Sequence, residues 1–279
     1  MRQVSYDNSP SLYLIPTPIG NMEDITMRSL NILKMVDIIL CEDTRESLKL
    51  LKYYDINKKL VACHEFNESN IKDYVLNELK SGKNIGLITD QGTPIISDPG
   101  YIVSRFIIEQ GFNVVSLPGA TAFVPALTSS GLEPSPFLFY GFLNSKQSKM
   151  KEELNKLKDY PFTFILYEAP HRLNNTLKNM LDILGDRKIS ISREISKIHE
   201  DVSRGTISDF VDNIDMLKGE FVLVVEGNKN IINYSELDII EHVNLYISDG
   251  LNEMDSIKKV AHDRGVPKAE IYKYYHKNK

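Results

Sequence analysis

The chain has 279 residues, of which 42% are hydrophobic and 25% charged. This composition is ordinary for a soluble globular protein, and the length is too great for one small core, so we expect two domains. The net charge of −5 argues against binding nucleic acid through a globally basic surface. The charge is segregated, however: residues 258–279 carry +5 and the remaining residues carry −10.

The two cysteines and the short apolar runs indicate where the protein works. Cys41 and Cys63 form no CxxC pair, which favours a reducing, cytoplasmic compartment without disulfides or a metal site. Long, mainly apolar runs such as 36–41 and 162–167 are strand-sized and too short to span a membrane, so we expect no membrane partner. Residues 1–11 are polar and contain no secretory signal, and we predict a flexible tail there.

The first half alternates β-rich runs with helical spacing, the pattern of an α/β domain over residues 12–130. Helical spacing recurs from Ile71 to Leu79. A second helix is predicted to begin at Asp98 as N-cap, with Pro99 in the first position, and to end at Gly111. Strands are predicted at Leu12–Ile15, Ile38–Cys41, Leu60–Cys63, Asn84–Ile88 and Asn113–Leu117.

A second α/β domain is predicted over residues 131–228, with the domain boundary at the breaks around Pro134 and Pro136. Its elements are predicted as strands Phe137–Tyr140, Phe162–Tyr167, Ile189–Arg193 and Phe221–Glu226 and helices Met150–Leu157 and Leu173–Leu184. A polar linker, 228–235, precedes a basic helical segment over 236–279, with breaks at Gly250 and 265–267.

Two loops that follow predicted strands are unusual. The run from Pro16 to Asn21 stands where a nucleotide-binding fold places its glycine-rich turn, but it contains neither GxGxxG nor a P-loop. The run from Thr89 to Gly100 has more turn-forming residues than a connection requires, and ligands of α/β sheets bind at this end of the strands. A long capped turn is the alternative interpretation of the second loop.

Two further clusters carry charge at strand ends. Glu42 and Arg45 follow the second strand, where a surface ion pair explains them as well as a site does. His171 and Arg172 stand at a helix start, and a lone histidine is more often structural than catalytic. The histidines show no metal-ligand spacing, and we expect no metal.

Six motifs taken in order resemble one family. They are Leu12–Asn21, Glu42–Arg45, Asp90–Gly100, Leu117–Gly119, Tyr167–Arg172 and Gly219–Gly227. Together they are similar to the bacterial 2′-O-ribose methyltransferases I of small-subunit ribosomal RNA, in the tetrapyrrole-methylase-like class. The resemblance implies two α/β domains with S-adenosylmethionine (SAM) in the cleft between them, in a homodimer.

The resemblance also implies the contacts of the cofactor. Carried over by position, they are Pro16, Pro18, Gly20, Gly92, Thr93, Pro94, Ile96, Thr121, Ala122, Tyr167 and Glu168. The chain departs from the tetrapyrrole enzymes at positions 16 and 18, which lack glycine, and at Thr93, which replaces aspartate. These departures match the RNA-modifying branch, whereas Gln91 stands where that branch usually has alanine.

Methyl transfer to a ribose hydroxyl benefits from a base or from a cation that stabilises the alkoxide. The candidate catalytic residues are Asp90, His171, Glu42 and Arg45, and Arg45 and Arg172 suit the holding of phosphates. We hypothesise that Asp98 mainly caps a helix and that Asp90 or His171 lies nearer the reacting atoms. Full methyl transfer by both Asp90→Asn and His171→Ala proteins would eliminate it.

The basic helical segment is a candidate RNA-binding surface, because aromatic and cationic side chains alternate in it. The predicted RNA contacts are Arg172, Lys268, Tyr272, Lys273 and Lys277. A solvated basic helix with its tyrosines packed inward is the alternative interpretation.

The resulting prediction is a SAM-dependent methyltransferase that acts on a cytidine ribose of small-subunit (16S) rRNA, in the ribosomal subunit and not on DNA. The alternatives are a methylase of a tetrapyrrole or another small molecule, and a catalytically silent SAM- or RNA-binding module. The first alternative predicts glycines at positions 16 and 18 of the first loop and no basic tail. This sequence has prolines at those positions and does carry a basic tail.

Overall fold

The structure, a computed structural model, describes residues 3–5, 7–213, 219–229 and 237–278. The chain divides into two compact units, 1–227 and 228–279. Both β-sheets belong to the first unit, and the second unit is helical. Within the described ranges, no helix is both long and apolar enough to cross a bilayer.

The first α/β layer contains β1 (Ser11–Leu14), α1 (Met27–Met35), β2 (Ile38–Cys41), α2 (Thr44–Tyr53), β3 (Lys59–Ala62), α3 (Glu68–Lys80), β4 (Ile85–Leu87), α4 (Tyr101–Glu109) and β5 (Asn113–Ser116). Its five strands are parallel, in the order β3-β2-β4-β1-β5. Leu12 and Leu14 of β1 pack against α3 and α4 on one face of the sheet. Tyr13 of β1 and Ile15, the residue after the strand, pack against α1 and α2 on the other face. This two-sided burial explains why the strand sequences are almost continuously apolar.

The second α/β layer contains α5 (Phe123–Ser129), β6 (Phe137–Phe142), α6 (Gln147–Leu157), β7 (Thr163–Glu168), α7 (Leu173–Leu184), β8 (Lys188–Arg193), β9 (Asp201–Thr206), α8 (Ile207–Phe210) and β10 (Phe221–Val225). Its sheet is mixed, in the order β6-β7-β10-β8-β9; β6 and β7 are parallel, and the other described neighbours are antiparallel. The apolar sides of α6 and α7 pack on one face of this sheet. Helix α5 packs on the other face, against Ile165, Val222 and Val224.

The predicted role of Asp98 as the N-cap of α4 is wrong. The helix begins at Tyr101, and its N-cap is Gly100 with φ 122°. The carboxylate of Glu68, from α3, accepts hydrogen bonds of 2.9 Å from the backbone N–H groups of Gly100 and Ile102. A side chain that is distant in sequence therefore satisfies the helix end, and Asp98 is not needed there.

The helical unit contains α9 (Ile239–Ser248), α10 (Glu253–Asp263) and α11 (Lys268–Asn278). The breaks between them confirm the predicted interruptions at Gly250 and 265–267. Val243, Ile257 and Ile271, one from each helix, share a core. Tyr275 is buried there, whereas Tyr272 stays exposed, so the predicted alternation of aromatic and cationic residues holds only in part.

Two predicted segments lie partly outside the described residues. Of the linker 228–235, residues 230–235 are outside them. Of the predicted tail 1–11, residues 1, 2 and 6 lie outside the described residues. Within the rest, Gln3 exchanges two hydrogen bonds of 2.9 Å with the backbone of Val114, and Ser11 is the first residue of β1.

Candidate active site

Three loops that follow β1, β4 and β5 meet at the carboxyl edge of the first sheet. Thr17 and Gly92 exchange two backbone hydrogen bonds, of 2.9 and 3.1 Å, which join the first loop to the second. The hydroxyl of Thr93 donates a 2.9 Å hydrogen bond to the carbonyl of Ala120 in the third loop. The three loops therefore form one connected wall, in the place where open α/β sheets bind ligands.

Two glycines allow close approach at this wall. A Cβ on Gly119 would lie 2.7 Å from Cγ of Pro16, so only glycine lets the first and third loops touch without displacement. The side chain of Lys197, from the loop after β8, lies against Gly20. Ser196, next to that lysine, donates a hydrogen bond to Asp24. The loop after β8 therefore contacts the first loop and the residues that follow it.

A cavity of about 420 Å³ lies between this wall and the second sheet. Its volume is within the range of small-molecule sites. The described residues that line it are Ile19, Gln91, Gly92, Thr93, Ile96, Ser97, Asp98, Thr121, Ala122, Phe142, Tyr167, Glu168, Ala169, Pro170, Ile195, Glu220, Phe221 and Val222.

The cavity brings together seven of the eleven predicted cofactor residues. These are Gly92, Thr93, Ile96, Thr121, Ala122, Tyr167 and Glu168. The described lining residues do not include the other four, Pro16, Pro18, Gly20 and Pro94, and the three prolines are buried. Sequence reasoning missed Phe142, Ile195 and Val222, which come from elements that carry no distinctive motif.

The hydroxyl of Thr121 at the cavity wall has no hydrogen-bond partner among the described residues. This hydroxyl is buried. Since a buried hydroxyl without a hydrogen bond costs free energy, a polar ligand atom at this position is favoured. Nearby, burial raises the pKa of Tyr167 to about 12, although the backbone N–H groups of Phe123 and Ala122 lower it.

Glu168 and Arg172 are engaged within the second domain. The carboxylate of Glu168 is almost fully buried and accepts hydrogen bonds from the Thr176 hydroxyl at 2.5 Å and from the backbone N–H of Ala169 at 2.8 Å. It also lies 3.2 Å from Nε of Arg172. Arg172 in turn donates to the carbonyl of Leu143 at 2.8 Å. These contacts fix the loop before α7, and the ligand roles assigned to both residues stay predictions.

Negative charge accumulates around Asp98. Burial is the main cause that raises the pKa of Asp98 to about 7, and the charges of Glu42, Asp90 and Glu220 contribute to the same rise. Burial also raises the pKa of Glu42, with Asp90 as a second cause. The structure thus brings two predicted catalytic carboxylates, Glu42 and Asp90, into the electrostatic neighbourhood of Asp98.

The other two predicted catalytic residues lie apart from this group. Arg45 is exposed, and its guanidinium lies 2.6 Å from the carboxylate of Asp43. This contact agrees with the interpretation of that motif as a surface ion pair. His171 is exposed ahead of α7 and is not among the described residues that line the cavity. Asp90 is also exposed, and its carboxylate accepts a 3.2 Å hydrogen bond from the backbone N–H of Asp43.

Comparison with solved structures supports the architecture. A methyltransferase named CobJ aligns with TM-score 0.60 and 14% identity, over 79% of this chain and 95% of that one. A uroporphyrin-III C-methyltransferase from Thermus thermophilus, solved in complex with S-adenyl homocysteine, aligns with TM-score 0.55 and 17% identity, over 78% of this chain and 98% of that one. At these identities, the likeness shows a shared fold.

Sequence comparison is more specific. The family model of the tetrapyrrole (corrin/porphyrin) methylases matches residues 11–211. Proteins called ribosomal RNA small subunit methyltransferase I are similar over nearly the whole chain: the one from Bacillus subtilis is 48% identical, over 99% of this chain and 98% of its own. The one from Escherichia coli O157:H7 is 37% identical, over 97% and 96%. The chain therefore belongs to the tetrapyrrole methylase family and, within it, to the small-subunit rRNA methyltransferase I group.

Proposed function

We propose that this protein transfers a methyl group from SAM to the 2′-hydroxyl of a cytidine ribose in 16S rRNA, and that its substrate is the small ribosomal subunit. The observation that carries the proposal is the 37–48% identity to small-subunit rRNA methyltransferases I over 96–99% of the chain. That match includes the helical unit, which lies outside the part of the chain, residues 11–211, that the tetrapyrrole methylase model matches.

The cavity fits SAM in size and chemistry. Ile19, Ile96 and Phe142 offer apolar contacts for a nucleoside. The Thr121 hydroxyl, which no residue in the described ranges hydrogen-bonds, offers a polar contact. The carboxylates near the cavity favour a cation, because opposite charges attract more strongly where water is partly excluded. When bound, SAM supplies an electrophilic methyl group on a sulfonium centre.

We assign the cofactor contacts to Gly92, Thr93, Ile96, Thr121, Ala122 and Tyr167. Two backbone hydrogen bonds to Thr17 hold the backbone at Gly92, so this part of the cavity wall is fixed by the protein itself. Such preorganisation reduces the entropic cost of aligning two reactants, which is the main task in a methyl transfer. The apolar lining excludes water from the reacting atoms.

We assign RNA binding to α11. Lys268, Lys273, Lys277 and Tyr272 are all exposed on this helix, whereas Ile271 and Tyr275 fill the core of the helical unit. Exposed lysines attract phosphates, and an exposed aromatic ring can stack on a base. A protein truncated before Leu237 is expected to retain SAM binding and to bind small subunits more weakly. Unchanged affinity at several salt concentrations would contradict this role.

We also propose a homodimer, which the resemblance implies. Tyr101, Ile102 and Ile108 of α4 are exposed apolar side chains that a second copy could cover. Light scattering is expected to give twice the mass of the 31.8 kDa chain. A monomer at micromolar concentration would contradict the proposal.

The central assay incubates the protein with methyl-labelled SAM and small subunits from cells that lack the modification. Label in rRNA is expected. Label in a tetrapyrrole or another small molecule would favour the alternative enzyme, and label in no fraction would favour a silent binding module. Subunits that already carry the modification are the matched control and should accept no label.

A further inference from the structure

We propose that a groove beside the cavity binds the base of a nucleotide that flanks the methylated one in the RNA strand, an inference that rests on the proposed function. The groove has a volume of about 760 Å³, which is within the range of small-molecule sites. It is lined by the first loop and the residues that follow it, by the end of α2 and by the loop after β8, residues 194–200. Its lining includes Asn21, Tyr53, Ile198 and His199.

The groove and the cavity share a wall made of two loops. In the first loop, Ile19 lines the cavity and the next residue, Gly20, lines the groove. In the loop after β8, Ile195 lines the cavity and the next residue, Ser196, lines the groove. When a target ribose reaches the cavity, the neighbouring nucleotides of its strand therefore lie close to the groove.

Ion pairs hold the loop after β8 in place. Nζ of Lys197 lies 2.9 Å from the carboxylate of Glu194, which lines the groove, and 3.3 Å from that of Glu220, which lines the cavity. Glu194 and Ser196 have φ values of 51° and 73°, which residues other than glycine rarely adopt. Backbone strain of this kind collects at functional sites. The loop thus presents Ile198 at a fixed position beside the cavity.

Two large side chains of the groove are exposed, although both are suited to apolar contacts. Ile198 is 92% exposed and Tyr53 is 64% exposed. Tyr53 packs edge-on against Tyr54, with ring centroids 4.9 Å apart, and the hydroxyl of Tyr54 donates a hydrogen bond to the carbonyl of Met22. The protein itself therefore orients the ring of Tyr53. An oriented, exposed aromatic ring is a platform on which a base can stack.

A flanking base gains from such a platform. The target nucleotide must leave its stack so that its ribose can enter the cavity, and contacts that replace the lost stacking favour the bound state. His199 is exposed in the same groove and offers a second planar ring. The side-chain carbonyl of Asn21 accepts a 3.0 Å hydrogen bond from the backbone N–H of Glu23, and its amide nitrogen has no acceptor among the described residues. That amide can donate to the edge of the base.

The charges around the groove favour RNA over a second protein chain. Lys49 lies one helical turn before Tyr53 on the same face of α2. It pairs with Glu46 at 2.7 Å, but both side chains are exposed, so a phosphate can replace this partner at little cost. Lys52 and Glu23 are exposed as well, and the cores of protein interfaces are poor in lysine and glutamate. The groove therefore suits a nucleotide better than a second copy of this chain.

The test measures how tightly wild-type, Tyr53→Ala, Tyr53→Phe and Phe162→Ala proteins bind small subunits that lack the modification. Phe162, the matched control, is 42% exposed and precedes β7, at the end of that strand away from the cavity residue Tyr167. Since a lost base stack weakens binding by about 5-fold to 150-fold, Tyr53→Ala should lose affinity by this factor. Tyr53→Phe keeps the ring and Phe162→Ala leaves the groove intact, so both should bind as wild type does.

Two readouts separate stacking from other causes. Calorimetry should give Tyr53→Ala the wild-type affinity for S-adenosylhomocysteine, which also shows that the variant is folded. The slope of log affinity against log salt concentration should be unchanged in Tyr53→Ala, because stacking releases no counterions. Lys49→Gln should instead reduce this slope by about one.

Cross-linking identifies what the groove binds. A photoreactive benzoylphenylalanine is placed at position 198, where the 92% exposure of the isoleucine leaves room for it. The protein is irradiated with small subunits and SAM, and the cross-linked products are mapped by mass spectrometry. Cross-links are expected on 16S rRNA, at the nucleotides next to the methylated one.

Several results would overturn the inference. They are an affinity of Tyr53→Ala for subunits within about twofold of wild type, cross-links only at distant nucleotides, or a cross-link between two copies of the chain together with a changed mass of Tyr53→Ala in solution. The last result would assign the groove to a dimer interface. In each case the wild-type protein still methylates small subunits, so the proposed function survives. A wild-type protein that methylates no subunit would overturn the proposed function, and the inference with it.

Discussion

Replacing Glu68 with alanine tests how the loop before α4 is held. The carboxylate of Glu68 is 5% exposed and accepts hydrogen bonds of 2.9 Å from the backbone N–H groups of Gly100 and Ile102. Alanine removes both acceptors and leaves two donors at the start of α4 without partners. Because each unsatisfied buried donor costs about 1–3 kcal/mol, we expect the free energy of unfolding to fall by about 2–5 kcal/mol.

Urea denaturation followed by circular dichroism measures this loss. Glu68→Gln retains one oxygen acceptor but presents an amide to the second donor, and it should lose about half as much stability as the alanine variant. Asp73→Ala, on the exposed side of the same helix, is the control and should remain within about 0.5 kcal/mol of wild type. A loss below about 1 kcal/mol in Glu68→Ala would refute the view that this carboxylate caps α4.

Three further predictions concern the cavity. In Gly119→Ala the new Cβ would lie 2.7 Å from Cγ of Pro16, so the unfolding free energy should fall by about 1–3 kcal/mol, and an unchanged value would show that the loops can separate freely. Thr121→Val keeps the shape but removes the hydroxyl, so calorimetry should show about a fivefold to tenfold weaker affinity for S-adenosylhomocysteine, corresponding to one hydrogen bond of about 1 kcal/mol. The folded-state pKa of Asp98, about 7, exceeds its ordinary value of 3.8. As the pH rises from about 3.8 to about 7, the free energy of unfolding of the wild-type protein should therefore fall relative to that of Asp98→Asn. The full shift would correspond to about 4 kcal/mol, which solvent screening of this partly exposed group reduces to about 1–2 kcal/mol, and parallel stability curves for the two proteins would contradict this.

The parts of the fold that depend on local pattern could be predicted from the sequence. The five strands of the first sheet were identifiable from short apolar runs, and α7 from its helical spacing and the glycine at its end. Strand β9 was missed, because it lies at a sheet edge where its polar residues stay partly exposed and leave no apolar pattern. Helices α1 and α2 were not predicted from the spacing of their apolar residues.

The candidate site could be predicted only where a single segment of the chain carries a recognisable sequence motif. The loops around Gly92 and Thr121 follow strands and match family motifs, and both line the cavity. The predicted cap role of Asp98 is wrong, because the local Asp-Pro pattern predicts a cap whereas the carboxylate that accepts those hydrogen bonds, Glu68, is 30 positions earlier in the chain. Only the folded chain shows that contact.

The central claim concerns the atom that receives the methyl group. Small subunits that lack the modification are treated with the protein and SAM, and their 16S rRNA is digested to nucleosides and analysed by mass spectrometry. The account predicts one new nucleoside, 2′-O-methylcytidine, in about equal amount to the subunits. A methyl group on the cytosine base, on another ribose or on no nucleoside would contradict it.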